Sequence, residues 1–369
     1  MRHSSAYLDW YINLPKLRFD LRSSGLMHFT YSLNLGKVDL STNYALGNPR
    51  TTKLLAGRYK VKPENIFLSS EGASGQNARI IRYVAELNRG RTEAIVEYPT
   101  YEPLLRQVQE HFSRVTRLGR HEKEGYRLDP EAIREIVSRR TGLIVLTNPH
   151  APSGAVSSKQ EISEVMEVAR EHDLPVLCDE IYAEFDRKVV PTVFSADPDY
   201  GIVTTSFTKA YGLGGLKLGT ALANEKLVRG LYNDVLNTVG NSPNIVQLIA
   251  SELLENGRQT MEKHKQKWVQ MKKETEEWLE QENLEYFPNK VGVTYWVDLP
   301  IEDTFKWTSK VTIPRYQLAT VPGAFFLFSG GYELARSSKV RVGLGCLNPD
   351  SSKLDEALTI IKQAIVTSK

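Results

Sequence analysis

The 369-residue sequence has few cysteines, little excess of either charge and no long apolar run. Its two cysteines, Cys178 and Cys346, provide no disulfide framework and predict a protein of the reducing cytoplasm. With 47 basic and 44 acidic residues the formal net charge is only +3, and no basic cluster indicates nucleic acid or an anionic membrane as a partner. No apolar stretch has the length of a membrane span, and the polar N-terminus lacks the apolar core of a signal peptide.

From residue 65 onward, short apolar strands alternate with amphipathic helices. The predicted strands are 65–70, 94–97, 143–146, 175–178 and 202–205. This alternation predicts an α/β fold with a largely parallel sheet, and such sheets bind ligands beyond the carboxyl ends of their strands. Polar and aromatic side chains gather at those ends: Ser74, Tyr101, Asn148, Asp179, Tyr182 and Lys209. We therefore expect a ligand site at that edge.

The two ends of the chain are less regular, and we expect them to form a smaller domain together. The capping box at Ser158 and Glu161 predicts a helix start, and Ser242-Pro243 predicts an N-cap followed by a first helical residue. The other predicted elements are a short aromatic helix over 7–14, a charged helix over 259–282, strands 292–299 and 340–345, a turn at 321–323 and a final helix over 352–366. We assign 1–42 to an N-terminal arm and part of the small domain, 43–255 to the large domain, and 256–369 to the small domain.

The most informative segment is 206–219, with the sequence SFTKAYGLGGLKLG. Lys209 follows a predicted buried strand, where desolvation lowers the pKa of an amine toward neutrality. Such an amine can attack a carbonyl carbon and form a Schiff base. The hydroxyls of Ser206 and Thr208, with the N–H groups of the turn, can hold a phosphate group. The glycines do not form a dinucleotide fingerprint, because the third glycine is absent and a strand follows where a helix should begin.

This segment resembles the lysine segment of the class I/II aminotransferases, which are pyridoxal-phosphate enzymes of fold type I. Further motifs stand in the family's order and spacing: Gly72-Ala73-Ser74 at a helix start, Asn148-Pro149-x-x-Pro152-x-Gly154, and Asp179-x-x-Tyr182. The resemblance covers roughly residues 34–365. It implies a large pyridoxal-phosphate-binding domain with a mostly parallel sheet, a smaller α+β domain from both termini, and a homodimer with shared active sites.

The resemblance implies a role for each residue around the cofactor ring. Lys209 forms the Schiff base and then acts as general base and acid, and Asp179 keeps the pyridine nitrogen protonated. Tyr182 and Asn148 contact the 3-oxygen of the ring, and Tyr101 stacks on its face. Lys209, Asp179 and Tyr182 are therefore the expected catalytic residues.

The resemblance also implies how the phosphate of the cofactor is held. Its ligands would be Ala73, Ser74, Ser206 and Lys217, with Tyr44 reaching in from the second subunit. Position 217 departs from the family, which has arginine there, and a lysine is a point charge without the planar fork of arginine. We therefore predict that this chain holds the cofactor loosely. The resemblance calls for no metal ion.

For the substrate, the resemblance assigns Arg341 to the α-carboxylate through a bidentate charged pair, with Asn148 beside it. Gly36, in Asn34-Leu35-Gly36, resembles the loop that leads into the family's active site. A distal acidic group on the substrate has no assigned partner, because the basic candidates are only loosely indicated: Lys37, Arg50 and His150.

The implied activity is transfer of an amino group between an amino acid and a 2-oxo acid by a ping-pong Schiff-base mechanism. A lyase, a decarboxylase or a biosynthetic cyclase with the same cofactor uses the same lysine, aspartate and tyrosine, so these alternatives stay open. A catalytically silent binding protein of the same fold is a further alternative. The presence of Lys209, Asp179 and Arg341 together favours an enzyme.

Overall fold

The computed structural model describes residues 5–329, 331, 333–349 and 352–368. In this part of the chain the strands are β1 Phe19–Leu21, β2 Ile66–Ser69, β3 Glu93–Tyr98, β4 Arg114–Gly119, β5 Thr141–Thr147, β6 Val176–Asp179, β7 Gly201–Ser206, β8 Gly219–Leu222, β9 Tyr286–Phe287, β10 Thr294–Asp298, β11 Leu318–Pro322 and β12 Lys339–Gly343. The helices are α1 Ala6–Asn13, α2 Pro49–Tyr59, α3 Gly72–Leu87, α4 Glu102–Gln109, α5 Pro130–Ile136, α6 Lys159–Glu171, α7 Val193–Ala196, α8 Glu225–Thr238, α9 Asn244–Glu255, α10 Arg258–Gln266, α11 Trp268–Gln281, α12 Thr304–Trp307, α13 Ile313–Tyr316 and α14 Lys353–Val366.

The large sheet of the described chain has the spatial order β2-β8-β7-β6-β5-β3-β4. β8 runs antiparallel to both of its neighbours, and the other adjacent pairs are parallel. The side chains of β5 alternate between two apolar cores, with Ile144 and Leu146 in one and Leu143 and Val145 in the other. Apolar side chains on both faces are typical of a sheet that helices cover on both sides. The predicted α/β fold with a mostly parallel sheet is confirmed.

The parallel strands bring the residues of the expected site to one edge of this sheet. Thr147, at the end of β5, lies opposite Asp179 at the end of β6, and Asp179 lies opposite Thr204 in β7. The Asn148 N–H donates to the carbonyl oxygen of Asp179 at 3.1 Å. Because β7 ends three residues before Lys209, the lysine leaves the sheet at the same edge.

The second sheet joins the two ends of the chain, in the order β1-β11-β12-β10-β9. β1 pairs in parallel with β11, and the remaining pairs are antiparallel. The predicted strands 292–299 and 340–345 correspond to β10 and β12. The predicted turn begins later than expected, because Val321 and Pro322 extend β11 by pairing with β12 and the turn starts only at Gly323. A smaller sheet from both termini is confirmed.

Local signals locate most of the helix ends. The capping box of Ser158 and Glu161 is present at the start of α6. α9 begins one residue later than predicted, because Pro243 occupies the N-cap position. The charged stretch 259–282 forms two helices, α10 and α11, which divide at Lys267, where the N–H donates to a carbonyl three residues back. Within the described ranges, no helix has both the length and the apolar character needed to span a bilayer.

Candidate active site

Lys209 lies in the loop between β7 and β8, at the edge where the parallel strands end. The N-terminal segment fixes its backbone, because the Leu26 N–H donates to the Lys209 carbonyl oxygen at 2.7 Å. Gly25 packs so closely against the lysine that a β-carbon there would lie 2.6 Å from Lys209 Cδ and 2.8 Å from Lys209 Cα. The backbone at residues 25 and 26 therefore sets the path of the lysine side chain.

The surroundings of Lys209 favour an uncharged amine. Burial is the largest influence on the pKa of Lys209 and lowers it, and the positive charges of Arg341 and Lys217 lower it further. Tyr7 and Asp179 oppose this shift without reversing it. These four groups therefore lie close enough to act on the lysine, and a lowered pKa is what a nucleophilic amine needs.

Asp179 is held in place by two hydrogen bonds at the end of β6. Asn77 Nδ2 donates to Asp179 Oδ2 at 2.7 Å, and the Ile181 N–H donates to Oδ1 at 3.0 Å. Thr204 Oγ1 in turn donates to Asn77 Oδ1, which orients the amide. Burial raises the pKa of Asp179, although these donors and the positive charge of Lys209 lower it. Burial is thus the largest influence on the pKa of Asp179, and the two donors hold its carboxyl oxygens in a fixed position.

The residues expected around a cofactor ring lie beside Asp179. Tyr182 lies in a 3-10 turn, Ile181–Phe185, directly after β6. Asn148 Nδ2 donates to the Pro191 carbonyl oxygen at 2.8 Å, and Asn148 Oδ1 accepts the Ser157 N–H at 3.0 Å. These bonds orient the Asn148 amide and use one of its two Nδ2 hydrogens. Burial raises the pKa of Tyr101, and the charges of Tyr182, Arg341 and Asp179 also act on it.

The start of α3 offers free backbone donors next to the lysine loop. The N-cap residue Glu71 makes no side-chain cap, and Gly72 has a φ of +68°. The Gly72 N–H donates to the Lys217 carbonyl oxygen at 2.7 Å, which ties the helix start to the loop. The N–H groups of Ala73 and Ser74 belong to the first turn, which a helix cannot satisfy by itself. This arrangement fits an anion.

Ser206 stands at the same end of the site, but its hydroxyl is already used within the loop. Ser206 Oγ donates to the Leu218 carbonyl oxygen at 2.6 Å and accepts the Thr208 N–H at 3.2 Å. Gly219, its partner in the β7–β8 pair, lies against the start of α3, since a β-carbon there would be 2.6 Å from the Gly72 carbonyl oxygen. The serine therefore closes the loop beside the first turn of α3.

Arg341 lies on β12 and is only 2% exposed. Its Nη2 donates to the Tyr7 hydroxyl at 3.2 Å and to the Arg22 carbonyl oxygen at 2.8 Å. The Phe326 ring centroid lies 5.2 Å from the guanidinium carbon. Arg341 Nε is buried and has no hydrogen-bond partner among the described residues. An unpartnered buried donor of this kind is available to a bound anion.

Two predicted residues are not brought to this cluster. Tyr44 and Gly36 both lie on an exposed loop, and a β-carbon added at Gly36 would meet only open space. The assignment of Tyr44 through a second subunit, and that of Gly36 to the loop that leads into the site, both remain predictions.

Of the three basic residues considered for a second acidic group of the substrate, His150 and Arg50 interact with other parts of the chain. His150 is buried, with one ring nitrogen 2.7 Å from Ser153 Oγ and the other 3.0 Å from the Pro99 carbonyl oxygen. Arg50 pairs with Glu255 on the surface. Lys37 lies on the exposed loop that carries Gly36.

Three residues of the site were not found from the sequence: Tyr7, Gly25 and Asn77. Asn77 has no motif of its own, and only its hydrogen bond to Asp179 reveals it. Tyr7 belongs to the short aromatic helix that was expected to pack on another part of the chain. Its hydrogen bond to Arg341 joins residues 334 positions apart, and neither helix nor strand periodicity can indicate a contact over that separation.

The comparison with protein families identifies the chain. The family described as "Aminotransferase class I and II" matches residues 42–361. The chain belongs to this family. Among curated relatives of this aminotransferase-family chain, histidinol-phosphate aminotransferase 2 of Carboxydothermus hydrogenoformans is 31% identical over 194 residues, which cover 49% of each protein. Aspartate aminotransferase of Bacillus subtilis is 21% identical over 332 residues, covering 88% of this chain and 74% of the relative.

Several curated relatives are matched over only part of their length. The share of the relative that is covered is 62%, 50% and 53% in three further cases, so the chain spans about half to three fifths of the proteins it matches there. Solved structures match the fold of this chain over all or nearly all of its length. A PLP-dependent aminotransferase from Streptococcus suis has a TM-score of 0.84 at 22% identity, covering 100% of this chain and 99% of that one. A Thermus thermophilus aspartate aminotransferase mutant has a TM-score of 0.81 at 19% identity, with 99% and 97% covered.

Proposed function

We propose that the chain is a pyridoxal-phosphate-dependent aminotransferase that moves an amino group between an amino acid and a 2-oxo acid. The observation that carries the proposal is the setting of Lys209. Its amine has a lowered pKa and lies within electrostatic reach of a carboxyl at Asp179 and a guanidinium at Arg341. The family membership and the solved structures of the same fold support this function.

The residues present fit pyridoxal phosphate at each of its functional groups. When bound, the cofactor supplies an electron sink for the bonds at the substrate's Cα. The first-turn N–H groups of Ala73 and Ser74 and the ammonium of Lys217 would hold its phosphate, with Ser206 beside them. Asp179 would face the ring nitrogen, and Asn148, Tyr182 and Tyr101 would hold the ring, as the resemblance to the family implies.

The side chains of this chain move the protons. Asp179, held by Asn77 and the Ile181 N–H, would lie against the ring nitrogen as its counter-ion and favour the protonated form of that nitrogen. Lys209 can take a proton from the substrate's Cα with its uncharged Nζ and return it in the next step. Arg341 would orient the α-carboxylate, using the Nε that has no partner among the described residues. The amino acid reacts in the first half of a ping-pong cycle and the 2-oxo acid in the second.

We further propose that the chain binds the cofactor weakly, because lysine occupies position 217. Lys217 is exposed and has a φ of +53°, a backbone conformation that arginine adopts as readily as lysine. Lys217→Arg should therefore leave the fold unchanged and add a second charged hydrogen bond to the phosphate. We expect the dissociation constant of the cofactor to fall by about tenfold, measured by absorbance titration. An unchanged constant would contradict the loose hold.

We also propose a homodimer in which Tyr44 reaches the neighbouring site. Large apolar side chains are exposed on the loop of Tyr44 and on the adjoining ends of α8 and α9: Leu40, Leu46, Val239 and Ile245. Asn244 at the start of α9 donates to the Thr42 carbonyl oxygen at 3.4 Å, so these segments lie side by side. Exposed apolar groups that adjoin in this way are typical of a protein interface. A cytoplasmic location remains a prediction, based on two free cysteines.

The visible absorbance spectrum with and without added pyridoxal phosphate tests the proposed function. We expect a cofactor band in wild type that is lost in Lys209→Ala. Lys272→Ala is a matched control, because Lys272 is another lysine whose pKa burial lowers, and its Nζ donates to the Asn289 carbonyl oxygen. An amino acid should bleach the wild-type band, and a 2-oxo acid should restore it.

Two results would overturn the proposal. Absence of a band with excess cofactor would indicate a silent binding protein. Consumption of an amino acid to ammonia or CO₂ with the band unchanged would indicate a lyase or a decarboxylase.

A further inference from the structure

The buried carboxylate of Glu102, the first residue of α4, binds the start of helix α1. Glu102 accepts hydrogen bonds from Ser5 Oγ at 2.9 Å, from the Ala6 N–H at 3.2 Å and from the Tyr7 N–H at 2.7 Å. Glu102 is fully buried and pairs with Arg106 at 2.9 Å. A charged group that accepts three donors holds them in a defined geometry. The first turn of α1 is therefore anchored in the protein interior.

This anchor places the side chain of Tyr7 over the substrate end of the site. Tyr7 is 6% exposed, and its ring packs on Tyr101, Phe325 and Phe326 with centroid separations of 5.7, 5.7 and 6.2 Å. Its hydroxyl accepts a hydrogen bond from Arg341 Nη2 at 3.2 Å. The phenol is thus held against the guanidinium by aromatic contacts and by the anchored helix.

Two donors in this cluster lack acceptors. The Tyr7 hydroxyl accepts from Arg341, and its own proton has no acceptor among the hydrogen bonds of the described residues. Arg341 Nε is also buried without a partner in the described chain. Buried donors are nearly always satisfied in folded proteins, so two unmet donors side by side indicate a missing ligand. A ligand with two acceptor oxygens and a negative charge would satisfy both.

We propose that Tyr7 is a substrate-binding residue that donates its hydroxyl proton to one oxygen of the α-carboxylate while Arg341 Nε donates to the other. This inference rests on the proposed function, because it takes the carboxylate of an amino acid or 2-oxo acid as the ligand. Tyr7 holds the substrate in position and takes no part in the chemical step. The carboxylate site then consists of β12 and α1 together, two elements from opposite ends of the chain.

The test is Tyr7→Phe, which removes the hydroxyl and keeps the ring contacts. A hydrogen bond to a charged group is worth about tenfold or more in affinity, so the KM for the amino acid and for the 2-oxo acid should each rise by about tenfold or more. Because Tyr7 also raises the pKa of Lys209, kcat should change as well, but by a smaller factor than KM. The matched control is Tyr11→Phe on the same helix, whose ring centroid lies 5.9 Å from that of Tyr7. Tyr11→Phe should leave both KM values unchanged.

A primary amine with the same side chain but no carboxylate separates binding from a structural role. Its slow conversion of the cofactor band should be equal in wild type and Tyr7→Phe, because it has no group for the hydroxyl to hold. Reaction rates are compared well below the unfolding temperature of both proteins. An unchanged KM for the amino acid, or an equal loss with the amine, would overturn the assignment of Tyr7. If wild type itself converts no amino acid, the proposed function fails and Tyr7 is not the cause.

Discussion

At the scale of single residues, Lys209 is held in a setting that disfavours its charged form. In the unfolded chain this amine is surrounded by water. Folding therefore costs free energy, because it removes the amine from solvent and places it near the positive charges of Arg341 and Lys217. The benefit is an amine whose pKa is lower than that of an exposed lysine, so that it loses its proton more readily. Residues that serve chemistry in this way often reduce the stability of the fold that holds them.

Replacement of Lys209 by methionine should therefore stabilise the cofactor-free protein at neutral pH, by about 1 kcal/mol. The folded pKa of Lys209 lies below its ordinary value of 10.5. Between the folded-state pKa and 10.5, the unfolded chain binds more protons than the folded chain, so the free energy of unfolding of wild type rises with pH. The advantage of Lys209→Met should thus be largest at neutral pH or below and vanish above about pH 10.5. Urea unfolding across this pH range measures it, and a difference that does not depend on pH would contradict the argument.

Gly25 packs directly against Lys209, so a larger residue at this position should displace the lysine. In Gly25→Ala, the new β-carbon would overlap Lys209 Cδ and Cα, so the lysine must shift. A displacement of about 1 Å at a reacting group can cost about a hundredfold in rate. We expect the first half-reaction to slow by at least tenfold in single-turnover absorbance measurements.

The control for Gly25 is Gly57→Ala. Gly57 lies within α2, is exposed, and has open space around its Cα. This change should leave the rate unchanged and stabilise the protein by about 0.5–1 kcal/mol, because alanine favours a helix over glycine. A normal rate in Gly25→Ala would show that the lysine tolerates the added methyl group.

At the scale of elements, two arginines near the end of β4 differ in their contacts: Arg120 is buried, and Arg117 is half-buried with its guanidinium nitrogens out of solvent. Arg120 donates to Glu97 Oε2 at 3.0 Å and to the Tyr126 carbonyl oxygen at 2.7 Å, and both side chains of this ion pair are fully buried. Arg117, within β4, has no hydrogen-bond partner for any of its three side-chain nitrogens among the described residues, and its guanidinium carbon lies 5.5 Å from the centroid of the Tyr98 ring. Burial lowers the pKa of Arg117 to about 10. A guanidinium without a partner is a cost to the fold, whereas a paired one holds its neighbours in place.

Substitution of each arginine by methionine should therefore have opposite effects. Arg117→Met removes a charge that makes no hydrogen bond among the described residues and should stabilise the protein by about 1 kcal/mol. Arg120→Met leaves Glu97 buried without its counter-ion and should destabilise it by about 3–5 kcal/mol. Thermal or urea unfolding measures both. A loss of stability in Arg117→Met would indicate that the guanidinium has a partner in the assembled protein.

At the scale of the whole molecule, we propose that the site is shared between two chains. Tyr44 is 37% exposed and lies on a loop that this chain does not bring to Lys209. The apolar side chains around it are solvent-exposed in one chain and would be covered in a dimer. A symmetric dimer brings the same two loops to two equivalent sites.

Mixing two inactive variants tests this arrangement. Tyr44→Ala and Lys209→Ala should each reduce activity strongly, but a heterodimer has one site with both residues intact. Random reassembly should restore about a quarter of the wild-type activity. Size-exclusion chromatography should show a dimer throughout. No recovery from a dimeric mixture would place Tyr44 outside the neighbouring site.

The sequence by itself determined the local features of this protein. Strands and helix starts follow from short apolar runs and capping residues, as at Ser158 and Glu161, because these depend on neighbours within a few positions. The positions of Lys209 and Asp179 were predicted likewise from motifs at strand ends, and that of Arg341 from a motif within a strand, β12. The division at residues 42 and 255 remains a prediction.

Only the tertiary structure decided which distant residues meet. Tyr7 contacts Arg341, Asn77 contacts Asp179, and Gly25 contacts Lys209, and none of these pairs shares a helix or strand. Sequence periodicity reports the face of an element on which a residue lies, and it carries no information about what packs against that face. The packing of α1 and the β1 segment onto the site depends on the fold as a whole. For this reason the sequence predicted Lys209, and only the structure revealed the contact between Tyr7 and Arg341.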